Sequence, residues 1–230
     1  YKQIINLNYR SIILKKSFHN LENFMQSIRL ILSVFLLSFS TAIFAESYTE
    51  DKHYVTLDKP VKTTTGDKVE VRELFWYYCP HCFNVEPVLS SWVKKLPENT
   101  VFIRQPAVFS DRWINGAIFY YVLEQLGEVE RLHGQLFDAI HLHKTAFIDQ
   151  SDFVDWLADH GVDKDKANGA FKSFSVRIKV NKSKVNTVKY HTSGVPALVI
   201  NGKYWTDASH AGGELEMFKV ADYLISKESK

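Results

Sequence analysis

Two cysteines, two residues apart, are the residues whose type and spacing bear most directly on chemistry. Cys79 and Cys82 are the only cysteines among the 230 residues of the chain. They follow an apolar, aromatic run from Leu74 to Tyr78 that is typical of a strand. The segment behind them has apolar residues at a 3.6-residue period, which predicts a helix. The pair is therefore expected where a strand ends and a helix begins.

This position predicts different roles for the two thiols. The unpaired N–H groups and the positive dipole end of a first helical turn stabilise a thiolate, so the pKa of Cys79 should fall. Pro80 suits the first helical position, where its missing N–H costs nothing. His81 could add a further donor or a positive charge. Cys82 lies one turn into the helix, so we expect it to be more buried and able to close back onto Cys79.

Three interpretations of the cysteine pair remain open at this point. A redox-active disulfide is favoured by the strand-to-helix context. Half of a zinc site would need histidines to complete it, because the chain has no third cysteine. An inert structural disulfide is the third interpretation. A c-type haem attachment is excluded, since Phe83 and not histidine follows Cys82.

The overall charge offers no argument for binding to nucleic acid or to an anionic surface. Residues 1–45 hold five basic residues and one acidic residue, and subtraction from the totals of 28 and 26 leaves a net charge of −2 for residues 46–230. A hydrophobic content of 46% is ample for an apolar core. The sequence contains no Gly-rich phosphate loop, and we expect no bound cofactor and a monomeric protein.

The beginning of the chain has the features of an export signal. Met25 is the first methionine, and it is followed by Arg29, an apolar stretch from Leu30 to Phe44, and Ala45. We interpret residues 25–45 as a signal peptide that is cleaved after Ala45, with an uncleaved anchor as the alternative. Residues 1–24 are upstream sequence that we do not expect to join the fold. Export would place the cysteine pair in an oxidising compartment.

The elements around the cysteines predict an α/β fold with a helical insertion. Apolar residues on both faces of residues 69–77 predict a central strand, and Glu73 lies among them. Five stretches with the apolar spacing of a helix follow. Ser151 is the expected N-cap of the third, and the fourth extends to Phe174. A strand over 197–200 and an Asn201-Gly202 hairpin then resume the α/β pattern. The predicted organisation is an α/β domain formed by residues 46–109 and 190–230, interrupted by a helical domain at 110–189.

Two features of the helical insertion allow more than one interpretation. Its stripes are most simply helix-packing faces, and the lysines of the basic fifth helix form a solvated face. His133, His141 and His143 are the histidines worth weighing as metal ligands. Because no acidic partner lies at helical spacing among them, we expect surface or core histidines and no metal site.

Two motifs and the insertion together resemble a known family. Cys79-Pro80-His81-Cys82 follows an aromatic strand, and the segment from Ser193 to Ala197 contains Val195-Pro196 just before the Asn201-Gly202 hairpin. Over residues 46–230 the chain thereby resembles the thioredoxin superfamily, in particular the DsbA-type periplasmic thiol oxidases. The implied fold is a thioredoxin fold with an inserted all-helical domain.

The resemblance implies roles for three residues outside the cysteine motif. In the family the bond equivalent to Val195–Pro196 is cis and lies against the disulfide, where substrate could pair with the backbone by strand addition. An ordinary trans turn proline is the alternative. Glu73 matches a buried acid beneath the disulfide that is proposed to relay protons, although a surface glutamate is the simpler interpretation. Many members of the family have a lysine near the position of Arg104. An arginine cannot give up its proton, so a role in proton relay is in doubt there, but Arg104 could pair with Glu73.

The implied function is the donation of the Cys79–Cys82 disulfide to unfolded or newly exported proteins in the periplasm. By resemblance, a DsbB-type membrane quinone reductase would reoxidise the protein. A reductase or isomerase of the same fold is an alternative, although residues 46–68 are too few for the dimerisation region of such isomerases. A non-catalytic peptide-binding or zinc-binding module is an alternative from another class.

Overall fold

A five-stranded mixed sheet forms the centre of the molecule, seen here in a computed structural model that describes residues 47–229. The strand order is β1-β5-β4-β2-β3, in which β2 and β3 are parallel and the other pairs are antiparallel. The strands are β1 (Val55–Thr56), β2 (Val69–Phe75), β3 (Thr100–Pro106), β4 (Ala197–Ile200) and β5 (Tyr204–Asp207).

Helices follow β2, interrupt the sheet sequence after β3, and close the chain. The 3₁₀ turn Asp111–Trp113 leads into the insertion between β3 and β4, which comprises α2 to α6. The helices are α1 (Pro80–Val93), α2 (Ile114–Leu126), α3 (Val129–His141), α4 (Gln150–Asp159), α5 (Lys164–Phe171), α6 (Phe174–Lys189), α7 (Ala208–Ala211) and α8 (Glu214–Glu228).

Strand β2 is the central strand that its two apolar faces predict. All seven of its residues are buried, and it pairs with β3 on one side and β4 on the other. Apolar residues of α1 and α8 cover one face of the sheet, where Val71 lies. Leu74 faces the other side and packs with Tyr190 at the end of α6. This double covering removes Glu73, in the middle of the strand, from solvent.

The aromatic run does not continue the strand as far as predicted. Strand β2 ends at Phe75, and residues 76–78 form a turn instead of extending the strand to Tyr77. The Cys79 N–H donates to the Trp76 carbonyl at 3.0 Å, which closes this turn. The partner strand β3 also ends at this level, where Pro106 is opposite Phe75. The turn allows the chain to enter α1 directly at the cysteines.

A buried polar network joins the insertion to the sheet. The apolar patterns of the sequence did not predict it. The Arg72 guanidinium donates to Glu70 at 2.7 Å and to Gln105 at 3.3 Å. The side-chain amide of Asn186, on α6, donates to the same Gln105 oxygen at 3.2 Å. These bonds connect β2, β3 and α6, so the charged pair in the sheet has partners that offset its burial.

Two local expectations in the helical insertion were wrong. The N-cap of α4 is Asp149 and not Ser151, because the Asp149 carboxylate accepts hydrogen bonds from the N–H groups of Ser151 and Asp152. Phe174, assigned to the fourth stripe, begins α6, since α5 ends at Phe171. Asp, Ser and similar residues compete as caps, and only the backbone geometry decides between neighbours.

The predicted upstream segment, residues 1–24, and the predicted signal peptide, residues 25–45, lie outside the described residues. Within residues 47–229, no helix is both long and apolar enough to cross a membrane. The domain limits at 46–109, 110–189 and 190–230 remain predictions.

The hairpin between β4 and β5 has the predicted turn, and a second segment packs tightly against it. Asn201 and Gly202 have φ angles of 51° and 62°, and the Lys203 N–H donates to the Ile200 carbonyl at 3.0 Å. The Val61 N–H donates to the Gly202 carbonyl at 2.8 Å. A Cβ at Gly202 would lie 1.9 Å from the Val61 carbonyl oxygen. Position 202 therefore requires glycine for both its φ angle and its space.

We expect Gly202→Ala to lower the free energy of unfolding by at least about 1 kcal/mol more than Gly66→Ala does. Gly66 has a similar φ of 64°, but a Cβ added there would meet no atom within 4 Å. Gly66→Ala therefore measures only the cost of placing alanine in the left-handed conformation, which is roughly 1 kcal/mol. Urea unfolding of both variants measures the difference. Equal losses would show that Val61 does not press on the turn.

Candidate active site

Cys79 occupies the N-cap of α1, and Pro80 is the first helical residue, as predicted. The Cys79 sulfur accepts the N–H of Cys82 at 3.4 Å, which satisfies one of the free donors of the first turn. Both thiols are free, so the geometry is that of the reduced pair. The local arrangement follows from the sequence, because the turn at 76–78 delivers Cys79 and Pro80 suits the first helical position.

The surroundings of Cys79 favour its thiolate. A hydrogen bond from the Cys82 side chain is the main cause that lowers the pKa of Cys79, to about 6. Burial opposes this shift, while the backbone N–H groups of Cys82 and His81 and the charge of His81 add to it. At neutral pH the Cys79 sulfur is therefore largely ionised and is both a nucleophile and a good leaving group.

Cys82 is the buried partner that the sequence predicts. It is fully buried, whereas Cys79 retains 8% of its exposure. Burial raises the pKa of Cys82 well above the usual range of a thiol, and its hydrogen bond to Cys79 adds to the shift. The two sulfurs therefore differ in protonation: the Cys82 thiol acts as donor and the Cys79 sulfur as acceptor.

His81 lies at the exposed edge of the pair. Its side chain is 72% exposed, and Nδ1 is 3.1 Å from a carboxylate oxygen of Glu214, at the start of α8. This contact links the cysteine turn to the last helix. The predicted contribution of His81 as a donor and a charge is consistent with its place among the groups that lower the pKa of Cys79.

The loop before β4 meets the cysteines from the other side. The Val195–Pro196 peptide bond is cis. The Cys79 sulfur lies 3.5 Å from the Val195 carbonyl oxygen, to which it donates a hydrogen bond in its protonated form. An adjoining cavity of about 240 Å³ is lined by both residues, His81 and Ser193. The two predicted binding residues are therefore next to the predicted nucleophile.

Hydrogen bonds from β5 and α7 hold this loop. The Ser193 hydroxyl donates to the Asp207 carboxylate at 2.9 Å. Asp207 also accepts the backbone N–H of His210 at 2.9 Å, and the His210 ring contacts it at the same distance. Burial alone would raise the pKa of Asp207, but these hydrogen bonds outweigh it and lower the pKa.

Glu73 is buried beneath the cysteines and is not the surface glutamate of the simpler interpretation. It is 1% exposed, and one carboxylate oxygen accepts a hydrogen bond from Arg104 at 2.7 Å. Burial raises the pKa of Glu73 to about 7, although Arg104 partly opposes the shift. The other oxygen has no hydrogen-bond partner among the described residues. Glu73 also contributes to the raised pKa of Cys82, so it lies within electrostatic reach of that thiol.

Glu86 and His133 complete this buried group, and the sequence analysis gave neither a role in the site. Glu86 accepts two hydrogen bonds from Arg104, at 2.7 and 2.8 Å, and lies 3.5 Å from Nε2 of His133. Burial tends to raise the pKa of Glu86, but His133 and Arg104 outweigh it and lower the pKa. Glu86 follows Cys82 by four residues, so helical spacing places both on one face and could have identified it.

The three histidines weighed as metal ligands differ in burial and in the atoms they contact. His133 is buried, and its Nδ1 is 2.8 Å from the Tyr77 hydroxyl. His141 stacks on Phe83 and contacts the Tyr77 carbonyl at 2.7 Å, while His143 is exposed. Within residues 47–229, no group of three His, Cys, Asp or Glu side chains is arranged to hold a metal ion.

Comparison with known proteins agrees with this geometry. Residues 70–218 match the family described as a DSBA-like thioredoxin domain. The thiol:disulfide interchange protein DsbA of Pseudomonas aeruginosa is 41% identical over 191 residues, which cover 83% of this chain and 90% of that protein. The protein of the same name from Azotobacter vinelandii is 42% identical over 178 residues, or 77% and 83% of the two chains.

Solved structures show the same fold. The crystal structure of Pseudomonas aeruginosa DsbA matches with a TM-score of 0.76 and 41% identity, over 80% of this chain and 96% of that one. The oxidoreductase DsbA from Xylella fastidiosa matches with a TM-score of 0.71 and 26% identity, over 77% and 95%. The predicted thioredoxin fold with inserted helices is confirmed. The chain belongs to the DsbA-like thioredoxin family, and it is a thiol:disulfide oxidoreductase.

Proposed function

We propose that the protein oxidises newly exported proteins by donating its Cys79–Cys82 disulfide to them. The observation that carries this proposal is the asymmetry of the two thiols. The pKa of Cys79 is lowered to about 6, while burial raises that of Cys82. A pair in which one sulfur is stable as a thiolate favours the reduced protein, and its disulfide is therefore an oxidant.

The first step is attack by a substrate thiolate on the Cys79 sulfur of the oxidised protein. The new bond joins the substrate sulfur to Cys79, and the bond between Cys79 and Cys82 breaks. Cys82 departs with the electron pair and takes up a proton, because burial makes its thiolate unfavourable. The greater exposure of Cys79 supports it as the sulfur that is attacked.

The second step resolves this mixed disulfide. A second substrate thiolate attacks the substrate sulfur that is bonded to Cys79, and Cys79 leaves as a thiolate. The substrate loses two electrons and two thiol protons in forming its disulfide. The protein gains the two electrons as a Cys79 thiolate and a Cys82 thiol, and the second proton passes to solvent. The low pKa of Cys79 makes it the better leaving group in this exchange.

We assign the proton that Cys82 takes up to Glu73. A carboxyl with a pKa of about 7 is partly protonated at neutral pH and can both donate and recover a proton. Its second oxygen is buried, with no hydrogen-bond partner in the part of the chain that the structure describes. Arg104 keeps its proton, so its role is to hold Glu73 and Glu86 in place through short hydrogen bonds.

Val195 and Pro196 are the proposed docking site for the substrate backbone. The Val195 carbonyl lies beside the Cys79 sulfur, so an extended segment that pairs with this loop would place its cysteine at the reactive sulfur. Recognition through the backbone suits a protein that acts on many unfolded chains. His81 is proposed to stabilise the Cys79 thiolate from the exposed side.

Location and reoxidation extend the proposal beyond the described residues. The export signal predicted at residues 25–45 supports a periplasmic location, where disulfides persist. A DsbB-type membrane quinone reductase is the proposed acceptor of the two electrons.

We expect Cys82→Ser to accumulate mixed disulfides with exported proteins. The Cys79 thiolate can still attack a disulfide of an exported protein and displace one of its sulfurs as a thiolate, but Cys82 is absent and cannot displace the bound substrate sulfur from Cys79. Non-reducing electrophoresis of cell extracts detects the adducts, and a reductant should cleave them. Cys79→Ser is the matched control and should form none. Absence of adducts with Cys82→Ser, together with zinc that co-purifies with the wild-type protein, would replace this function with that of a zinc-binding module.

We expect reduction to raise the melting temperature at pH 7, by an amount that shrinks as the pH falls. The folded pKa of Cys79, about 6, lies below the unfolded value of roughly 8.5. The thiolate therefore stabilises the reduced fold fully above the unfolded value, and this stability is lost as the pH falls through about 6.

Thermal unfolding of reduced and oxidised protein between pH 5 and 8 measures this effect. The oxidised form is the internal control, because it has no Cys79 thiol to titrate while its carboxyl groups are the same. A melting-temperature difference that stays constant across this range, or a reduced form that melts lower at pH 7, would contradict the assignment.

A further inference from the structure

The outer face of α6 carries large apolar side chains that no part of the described chain covers. Nine large apolar residues of the described range are exposed, and four of them lie on this single helix. They are Phe174, Ile178, Val185 and Val188, with exposures of 68%, 49%, 52% and 66%. We call these four residues the α6 stripe. The sequence analysis treated the apolar residues of this region as packing faces, whereas about half or more of each of these four residues is exposed.

The α6 stripe is continuous along the helix. At 100° per residue its four members fall within an arc of roughly 80°. The buried residues of α6, among them Val176, Val180 and Thr187, lie on the opposite side. A helix of 16 residues is about 24 Å long. The helix thus has a buried side that is partly polar and, opposite to it, an apolar side that faces solvent.

Basic residues border the α6 stripe along both margins. Arg177 and Lys184 follow one margin, and Lys182 and Lys189 follow the other. The helix contains five basic and no acidic residues, although residues 46–230 together have a net charge of −2. Lys184 pairs with Asp111, whereas Arg177, Lys182 and Lys189 form no ion pair with any described residue.

A basic cavity lies at the C-terminal end of the same helix. It has a volume of about 440 Å³, and three lysines and a histidine are among its lining residues, with Asp58 as the acidic one. The basic residues are Lys59, Lys62, Lys189 and His191. Lys189 belongs to both the cavity and the margin of the α6 stripe. The size and charge of the cavity suit a phosphate headgroup.

We propose that α6 binds the surface of an anionic phospholipid bilayer. The α6 stripe would enter the boundary between headgroups and acyl chains, as apolar faces of interfacial helices do. The flanking lysines and Arg177 would extend toward lipid phosphates and keep their charges in the headgroup layer. Because α6 ends just before the loop that holds Val195 and Pro196, this contact would keep the substrate loop near the membrane surface.

Two other occupants fit the surface less well. A second copy of the chain would bring two basic helices face to face. Lys179 and Lys184 are paired with Glu124 and Asp111, but the other three basic residues of each helix would oppose such contact. Nucleic acid would satisfy the lysines, but interfaces with nucleic acid are highly polar and would leave the apolar stripe without a partner. A bilayer with anionic lipid offers both apolar chains and negative charge.

The test is flotation of the purified chain from residue 46 onward with phospholipid vesicles. The solved Pseudomonas aeruginosa relative consists almost wholly of the matching region, so this portion folds without the leader. We expect binding to vesicles of phosphatidylglycerol and phosphatidylethanolamine. Binding to pure phosphatidylcholine, or in 0.5 M salt, should be at least about tenfold weaker.

Two sets of variants distinguish binding through α6 from non-specific adsorption to the vesicles. Phe174→Ser with Val188→Ser, and separately Lys182→Gln with Lys189→Gln, should each reduce the bound fraction about tenfold or more. The control, Leu142→Ser with Ile148→Ser, removes equally exposed apolar residues of the insertion and should bind normally. All of these variants should retain thiol oxidation of a soluble peptide, which separates this inference from the proposed function.

Failure of the wild-type chain to bind any of these vesicles would overturn the inference, as would α6 variants that bind as well as wild type. A concentration-dependent dimer that the α6 variants abolish, without vesicle binding, would assign the surface to a second copy. Tight binding to nucleic acid with no vesicle binding would likewise replace the bilayer as the partner.

Discussion

The hydrogen bonds that converge on the Cys79 sulfur are the interaction on which the rest of the structure depends. The sulfur accepts the N–H of Cys82 and a hydrogen bond from the Cys82 thiol at the positive end of α1. Each of these donors belongs to the helix or its first turn, so none needs to move when charge develops. Such fixed donors cost no reorganisation during reaction. The fold can be understood as the means of keeping α1 at this place.

Three parts of the fold maintain that arrangement. Strand β2 and its turn deliver Cys79 to the start of α1. The loop before β4 brings the Val195 carbonyl to the same sulfur. Below the pair, Arg104 joins Glu73 of β2 to Glu86 of α1, so one guanidinium ties the sheet to the helix that presents the cysteines. Arg104 and Glu86 act on the pKa of Glu73, and the Glu73 carboxylate in turn contributes to the raised pKa of Cys82.

Much of this could be predicted from the sequence where a single local pattern decides the outcome. The motif from Cys79 to Cys82, the Asn201-Gly202 turn and the two-sided strand all have short-range causes. The role of Glu86 was not predicted, because apolar spacing along the helix does not indicate a polar contact. That role depends on Arg104 from a neighbouring strand. The exposure of the α6 stripe was not predicted for a related reason. Periodicity shows that a helix face is apolar but not whether another element covers it.

The claim that the Cys79 thiolate makes the disulfide an oxidant is tested most directly by redox equilibrium. The purified chain from residue 46 is equilibrated with defined ratios of reduced and oxidised glutathione at pH 7, and the reduced fraction is measured. The account predicts half-reduction at a potential clearly more oxidising than roughly −200 mV. A potential at or below roughly −250 mV, in the range of reductants, would contradict it.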